Sequence, residues 1–292
     1  MRYQFIEQQK HEFPIAVMCQ VLEVSESGFY AWRKRPTCQR QREDAQITQE
    51  IRQVFHDHQG RYGSPRIHRE LSDQGRSLSR KRVARLMQEV ELSARRKRRR
   101  VQTTKRDKAH PVAPNLLNRE FTATDPNKKW VTDITYIPTT QGWLYLAVIL
   151  DLYSRMVVGW SMSGNCDGEL VERALDQALA RRRPDPGLLH HSDRGSQYTG
   201  RSYQFHLEES GIISSMSRKG NCWDNAAMES FFGTLKDECV GNSIYASHDE
   251  ARLAIFTYLE VYYNRIRRHS TLGYVSPFIY EQRKIQQTLH NV

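Results

Sequence analysis

The sequence lacks any apolar stretch long enough to cross a membrane. Its longest apolar run, Trp143 to Leu150, is far shorter than the ~18 residues that a spanning helix needs. The first residues, MRYQFIEQQKHEF, also lack the apolar region of a signal peptide. We therefore expect a soluble chain that is not exported and has no membrane partner.

Paired cysteines are missing as well. The five cysteines are an odd number, lie far apart and include no Cys-x-x-Cys pair. This pattern argues against a disulfide framework and against a zinc ribbon. We expect reduced thiols, as in a cytoplasmic protein, at Cys19, Cys38, Cys166, Cys222 and Cys239.

Negative charge is scarce in the first two-fifths of the chain. The net charge is +11, and residues 1–120 hold 26 Lys and Arg against 14 Asp and Glu, whereas residues 121–292 hold 18 against 19. A basic excess confined to one part of a chain is typical of a protein that binds a polyanion, most commonly nucleic acid. A merely solvated basic surface is the alternative.

Short helices are predicted in the N-terminal part. A helix from Ile15 to Leu22, a polar turn and a second helix capped by Ser25 or Ser27 form the outline of a helix-turn-helix. Apolar residues then recur at helical spacing in residues 47–55. A turn at residues 63–65 precedes a helix whose inward side chains include Ile67 and Leu71.

A further helix is predicted in LSRKRVARLM, residues 78–87, with Ser79 as its N-cap. Cations crowd its first turns, where they oppose the helix dipole, so stability alone does not explain them. Contact with DNA phosphates does explain them, and an ordinary basic helix packed on its neighbours is the alternative. The apolar stripe is Val83, Leu86 and Met87, and the cations are Arg80, Lys81, Arg82 and Arg85.

A basic run follows in residues 95–108, where RRKRRRVQTTKRDK holds nine Lys or Arg and one Asp. Self-repulsion keeps such a segment open unless a polyanion neutralises it. We interpret it as a linker that contacts the DNA backbone without reading its sequence, with a solvated tether as the alternative. The predicted contacts are Arg96, Lys97 and Arg98, together with Arg66 in the helical region.

From about Asn127 the pattern changes to β-structure. Three strands joined by short turns are predicted in WVTDITYIP, QGWLYLAVILDLYS and MVVGWSMSG. A helix from Glu169 and a fourth strand that stops at Ser192 follow. Further helices are predicted at residues 203–210, 225–239, with Asp224 as cap, and 251–263. This order predicts an α/β fold in which helices cover a mixed sheet, preceded by an all-α region.

The pattern divides the chain into four parts. They are a helical helix-turn-helix region expected to bind DNA (1–92), a basic linker (93–126), an α/β core (127–240) and a C-terminal helical extension of that core (241–292).

Three acidic residues stand out by their context. Asp133 lies inside the first strand, where burial of a carboxylate is costly without a cation or hydrogen bonds. Asp193 follows the fourth strand, so the two carboxylates converge if strands one and four are neighbours. Glu229 lies one turn into a covering helix. Oxygen ligands of this kind suit Mg²⁺ or Mn²⁺, and structural or solvated acids are the alternative.

Basic and aromatic residues flank these acids. Lys236 lies two helical turns beyond Glu229 on the same face, where it either reaches a phosphate or is an ordinary exposed lysine. Trp223 either stacks on a base or serves as a hydrophobic staple. The late run NRIRRHS either contacts DNA or is a solvated helix end. The predicted DNA contacts around the site are Arg194, Arg218, Lys219, Trp223, Asn225, Arg267 and Arg268.

Five segments carry a resemblance to a known family. They are WVTDITYI, GWLYLAVILDLYSRMVVGW, HHSDRGSQYTG, SMSRKGNCWDNAAMESFFGTLKDE and YYNRIRRHSTLGYVSP. In this order they resemble the catalytic subunit, the second-frame product, of bacterial transposases of the insertion-sequence-three family. The resemblance extends from about Ile47 to Tyr280 and includes the helix-turn-helix region before the core.

That resemblance implies an RNase H-like core similar to retroviral integrases, with a DDE triad at Asp133, Asp193 and Glu229 and a trailing basic residue at Lys236. It implies cleavage of the element's ends and strand transfer by the exposed 3′-hydroxyl, in DNA recombination and integration, with two Mg²⁺ ions for which Mn²⁺ substitutes. A DNA-binding regulator with an inactive core is the alternative, and the intact acids favour the enzyme.

The resemblance also implies partners and a location. DNA is bound both as the element's terminal repeats and as the target, and several copies of the chain assemble on it. The first-frame product of the same element joins the chain through a frameshift fusion and supplies a leucine zipper, whereas no heptad run is present in this sequence. The implied location is the bacterial cytoplasm, in association with the nucleoid.

Overall fold

The computed structural model describes residues 1–34, 38–94, 112–219, 221–241 and 244–290, without the side chains of Cys222 and residues 288–290. The chain divides into two compact units, Met1–Ser93 and Ala94–Val292. Among the described residues, no helix combines the length and the apolar character that crossing a bilayer requires. The predicted contacts Arg96, Lys97 and Arg98 lie outside the described residues.

The first unit begins with three short helices around a small apolar core. Ser25 is the cap of the third helix, because its Oγ accepts a hydrogen bond from the Gly28 N–H at 3.0 Å. The first helix was not predicted from the sequence. The helices are α1 (Arg2–Gln9), α2 (Ile15–Val21) and α3 (Glu26–Lys34), and their core is Ile6, Met18, Cys19 and Phe29.

Three further helices complete this unit: α4 (Gln39–Asp57), α5 (Ser64–Asp73) and α6 (Arg80–Glu89). Ser79 caps α6 as predicted, since its Oγ accepts from the Arg82 N–H at 3.2 Å. The apolar stripes predicted for α5 and α6 are buried at Ile67, Leu71, Val83, Leu86 and Met87.

The second unit is built on a mixed sheet. Its strands are β1 (Lys129–Thr139), β2 (Gly142–Asp151), β3 (Val157–Ser163), β4 (Leu189–Ser192) and β5 (Ile213–Met216). Within the described ranges they form one sheet in the order β3-β2-β1-β4-β5. β1, β2 and β3 pair antiparallel, whereas β4 pairs parallel with both β1 and β5. β5 was not predicted, because its sequence, ISSM, lacks an apolar alternation.

Helices pack on this sheet as the α/β pattern requires. α7 buries an apolar face that includes Leu170 and Leu175 against strand residues such as Trp130 and Ile149. Two helices continue in π-helical geometry, α10 through Lys236–Val240 and α11 through Thr257–Tyr263. The helices are α7 (Gly168–Arg182), α8 (Ser196–Thr199), α9 (Arg201–Glu209), α10 (Ala226–Leu235), α11 (His248–Phe256) and α12 (Pro277–His290).

A glycine allows β3 to approach α7 closely. A Cβ on Gly159 would lie 2.2 Å from the Ala174 carbonyl oxygen and 2.7 Å from the Ala178 Cβ. We therefore expect Gly159→Ala to lower the free energy of unfolding by about 1–3 kcal/mol through overpacking, as measured by chemical denaturation.

The matched control is Gly168→Ala, in the first turn of α7, where an added Cβ meets no described atom within 4 Å. This substitution should leave stability nearly unchanged. Equal stability of the two variants would contradict the close packing of β3 on α7.

Candidate active site

The pairing of β1 with β4 places two aspartates side by side. Trp130 lies opposite His190 and Val131 opposite His191 in a parallel register. Asp133 and Asp193 each lie two residues further along the chain, so the two carboxylates reach the same level where β4 ends. Strands one and four are therefore neighbours, which is the condition under which the sequence predicts that the two carboxylates converge.

Each of these carboxylates is anchored by one oxygen. The Ile134 N–H donates to Asp133 Oδ1 at 2.8 Å, and the Gly195 N–H donates to Asp193 Oδ1, also at 2.8 Å. Within the described part of the chain, these bonds engage only one oxygen of each carboxylate. The second oxygen of each is then available as a ligand atom.

The two aspartates destabilise each other's charge. Burial, followed by the negative charge of Asp193, raises the pKa of Asp133 to about 8; the charge of Glu229 adds to this rise, and Lys236 opposes it. Burial also raises the pKa of Asp193. A cation bound between the two carboxylates would relieve both effects.

Glu229 stands at the edge of this pair rather than within it. It lies exposed in the first turn of α10, and its charge affects Asp133 less than that of Asp193 does. Across the described residues, no three His, Cys, Asp or Glu side chains lie close enough to hold one ion together. The structure therefore brings two of the three predicted acids together and leaves the third on the adjoining helix.

The donor set fits a hard divalent cation. All three groups are carboxylates, and oxygen ligands are those that Mg²⁺ and Mn²⁺ prefer. Asp133 and Asp193 supply a fixed pair of ligands from the sheet. Glu229 would complete the set from α10.

Lys236 contacts an aromatic ring beside the site. Its Nζ lies 4.6 Å from the centre of the Tyr136 ring, and Tyr136 packs edge-on against Trp143 with ring centres 4.9 Å apart. Both rings are about half exposed. Neither aromatic was predicted as a site residue, because in the sequence both are indistinguishable from other strand residues of a β-hairpin.

Two residues predicted to contact DNA are buried, and those predictions are wrong. Arg267 is 5% exposed, and its Nε and Nη2 each donate to a carboxylate oxygen of Glu238 at 2.7 Å. Asn225 is 6% exposed, and its Nδ2 donates to the Thr132 carbonyl oxygen at 3.3 Å. Both residues hold elements of the core together.

The other predicted contacts near the site differ in their surroundings. Trp223 is 67% exposed, which argues against the staple alternative, and Lys219 is exposed too. The remaining three have partners within the chain. Arg194 Nε donates to the Ser217 carbonyl oxygen, Arg268 Nη1 donates to the Tyr274 carbonyl oxygen, and Arg218 pairs with Asp224.

In the first unit, intramolecular contacts account for some of the predicted cations. Arg82 and Arg85 both donate to the carboxylate of Asp44, at 2.8 and 2.7 Å. For these two arginines, the contacts favour the alternative to DNA binding, a basic helix packed on its neighbours. The guanidinium of Arg66 lies 5.4 Å from the centre of the Tyr62 ring. Arg80 and Lys81 are exposed on the first turn of α6.

Asp224 has a different role from the predicted one. It lies in a 3₁₀ turn, Cys222–Asn225, before α10, and the N-cap of α10 is Asn225. Its carboxylate is fully buried. Hydrogen bonds from Arg218, the largest effect, hold its pKa well below the usual range.

Comparisons with known proteins match both units. Residues 41–100 match a family described as "HTH-like domain", and residues 123–222 and 210–277 match two families described as "Integrase core domain". The chain is 42% identical over 287 residues to "Transposase InsF for insertion sequence IS3A" of Escherichia coli strain K12, covering 98% of this chain and 100% of the relative. The chain belongs to this family of IS3 transposases.

Other relatives are similar to this IS3-family transposase. "Insertion element IS600 uncharacterized 31 kDa protein" of Shigella sonnei is 45% identical over 266 residues, covering 91% of this chain and 98% of the relative. The HTLV-2 integrase catalytic core, solved in complex with magnesium, has a TM-score of 0.42 and 16% identity, covering 55% of this chain and 99% of that one.

Family membership confirms what the sequence motifs predicted for fold and function. The core is an RNase H-like mixed sheet with flanking helices, preceded by a helical HTH-like region. The transposase is a DDE-class polynucleotidyl transferase that acts on DNA with a divalent metal.

Asp133→Asn should stabilise the metal-free transposase at pH 8. Because the pKa of Asp133 is raised in the folded state, the folded chain binds more protons than the unfolded chain between about pH 4 and 8. Wild-type stability therefore falls as pH rises through this window, and the amide removes the part of that fall that is due to Asp133. We expect Tm to rise by roughly 2–4 °C for each kcal/mol regained, measured by calorimetry in EDTA.

Exposed Asp185 provides the matched control. Asp185→Asn should follow the wild-type stability curve at pH 5 and at pH 8. The explanation fails if Asp133→Asn gains no stability over the wild type between those two pH values.

Proposed function

We propose that Asp133, Asp193 and Glu229 are the catalytic carboxylates of this transposase and hold two Mg²⁺ ions, for which Mn²⁺ substitutes. The observation that carries the proposal is the parallel register of β1 and β4, which sets two half-buried aspartates at one level. Their raised pKa values support it, because such carboxylates gain most from a bound cation. When bound, the ions activate the attacking oxygen and stabilise the leaving oxygen of the scissile phosphate.

The residues of the chain supply geometry and charge for an in-line phosphoryl transfer. In the first step water attacks the phosphate at the element's end and releases a 3′-hydroxyl. In the second, that hydroxyl forms a bond to a new phosphorus as the bond to the leaving 3′ oxygen breaks. No covalent bond to the protein forms in either step. Lys236, beside Tyr136, would hold a phosphate oxygen next to the carboxylates.

The DNA contacts divide between the two units in this proposal. The helical region 1–92 binds the element's terminal repeats, supported by the HTH-like match and by exposed Arg80 and Lys81 on α6. The basic run of the linker 93–126, residues 95–108, contacts the DNA backbone. Lys219 and Trp223, exposed before α10, contact the strand near the cleavage point in the core, 127–240, which residues 241–292 extend.

The assembly and the location belong to the same proposal. The transposase acts as a frameshift fusion with the first-frame product of its element and as several copies on the DNA. It joins the element's ends and integrates them into target DNA in the bacterial cytoplasm, at the nucleoid. The relatives' description as insertion-sequence transposases supports this setting.

The test is cleavage and joining of labelled element-end DNA with Mg²⁺. The chain alone, the chain with the first-frame product, and the fusion are compared. In whichever form is active, Glu229→Gln should lower joining at least about 100-fold, because it removes a ligand of the cations that would stabilise the transition state.

The matched control is Glu208→Gln, an exposed helix glutamate on α9, which should join DNA at the wild-type rate. Normal joining by Glu229→Gln would contradict the proposed triad. Binding of element ends without joining by any form would favour the inactive DNA-binding regulator instead.

A further inference from the structure

A segment before the sheet is fastened along β5. We call residues 112–121 the strap. The Pro114 carbonyl oxygen accepts from the Met216 N–H at 3.3 Å, and Ser215 Oγ accepts from the N–H groups of Leu116 and Leu117 at 2.9 and 3.2 Å. Leu117 is 1% exposed. The strap is therefore a fixed part of the core.

Asp224 joins the strap to the start of α10. Its fully buried carboxylate accepts hydrogen bonds from Asn115 Nδ2 at 2.8 Å and Arg119 Nε at 3.0 Å, both in the strap. The backbone N–H, Nε and Nη2 of Arg218 each donate to the same carboxylate at 2.9 Å. A buried charge requires such donors, so these contacts fix where Asp224 lies.

Within the strap, Arg119 adopts an unfavourable backbone conformation where this contact forms. Asn118 and Arg119 have φ values of 44° and 64°, in the left-handed region that side chains other than Asn, Asp and Gly rarely adopt. Asn115 Oδ1 accepts from the Asn118 N–H at 2.9 Å and so holds the turn. The turn brings the Arg119 guanidinium to Asp224.

The residues that follow Asp224 lead directly to the site. Asn225 donates to the carbonyl oxygen of Thr132, the neighbour of Asp133 in β1. Glu229 lies in the first turn of α10, which begins at Ala226. The pair Asp224–Asn225 thus holds the start of α10 against the strap on one side and against β1 on the other.

We propose that Asp224 is a positioning residue for Glu229, and that Asn115 and Arg119 of the strap act through it. Their contact holds the start of α10 where Glu229 can complete the ligand set of Asp133 and Asp193. This inference rests on the proposed role of Glu229 as a ligand.

The test substitutes Arg119→Gln, because Arg119 is 46% exposed and Asp224 keeps Arg218 and Asn115 as partners. We expect the Mg²⁺ concentration for half-maximal joining to rise about tenfold, the effect typical of losing a group that orients a ligand, with little change at saturating Mg²⁺. In the metal-free protein, amide hydrogen exchange in residues 226–232 should accelerate. Arg119→Lys, which keeps the charge, should restore much of both properties.

The matched control is Arg173→Gln. Its side chain is also 46% exposed and pairs at 3.1 Å with Glu169 on α7, an acid that is itself exposed. This variant should keep the wild-type Mg²⁺ dependence and the wild-type exchange in residues 226–232.

The outcomes separate the two proposals. If Glu229→Gln is inactive while Arg119→Gln keeps both wild-type properties, the positioning role is wrong and the triad stands. If Arg119→Gln only lowers thermal stability, the contact is structural and the positioning role is also wrong. If Glu229→Gln joins DNA normally, the proposed triad fails, and this inference fails with it.

Discussion

The parallel pairing of β1 with β4 is the constraint on which the catalytic arrangement depends. It sets Asp133 and Asp193 level with each other at the end of β4. Two carboxyl groups therefore adjoin in a partly desolvated environment. Burial raises the pKa of both carboxyl groups, and the charge of Asp193 raises that of Asp133 further. The core tolerates the cost because antiparallel pairing with β2 along most of its length fixes β1.

Acidic groups that are buried or half-buried in this core fall into two classes. Glu238 with Arg267, and Asp224 with Arg218, are matched by opposite charges within the chain, and they join helices and loops of the core to one another. Asp133 beside Asp193 is the opposite case, in which like charges adjoin. The first class of charges stabilises the fold. The second class favours the binding of a cation, because among the described side chains Lys236 alone lowers the pKa of Asp133, and its effect is small.

Local patterns predicted much of this arrangement. Apolar alternation identified β1, and a nearly all-apolar run identified β2. The abrupt end of the apolar run after Leu188 and Leu189 identified β4 and hence Asp193. β5 was missed because two of its four residues are serines. Arg267 was misassigned because it lies in a run of cations, a pattern typical of an exposed segment. Its partner, Glu238, is 29 residues away in the sequence, so the ion pair that buries it is not visible locally. Arg119 and Asp224 are 105 positions apart, and no local pattern predicts such a contact.

The central claim is that β1 and β4 together present a two-aspartate cation site. The most direct test is a crystal structure of the full chain grown with Mn²⁺, with an anomalous difference map to locate the metal. We expect an anomalous peak for a Mn²⁺ ion that is bound by one carboxylate oxygen from each of Asp133 and Asp193. We expect that peak to be lost in Asp133→Asn. A Mn²⁺ site that involves neither aspartate, or a peak that persists in the variant, would contradict it.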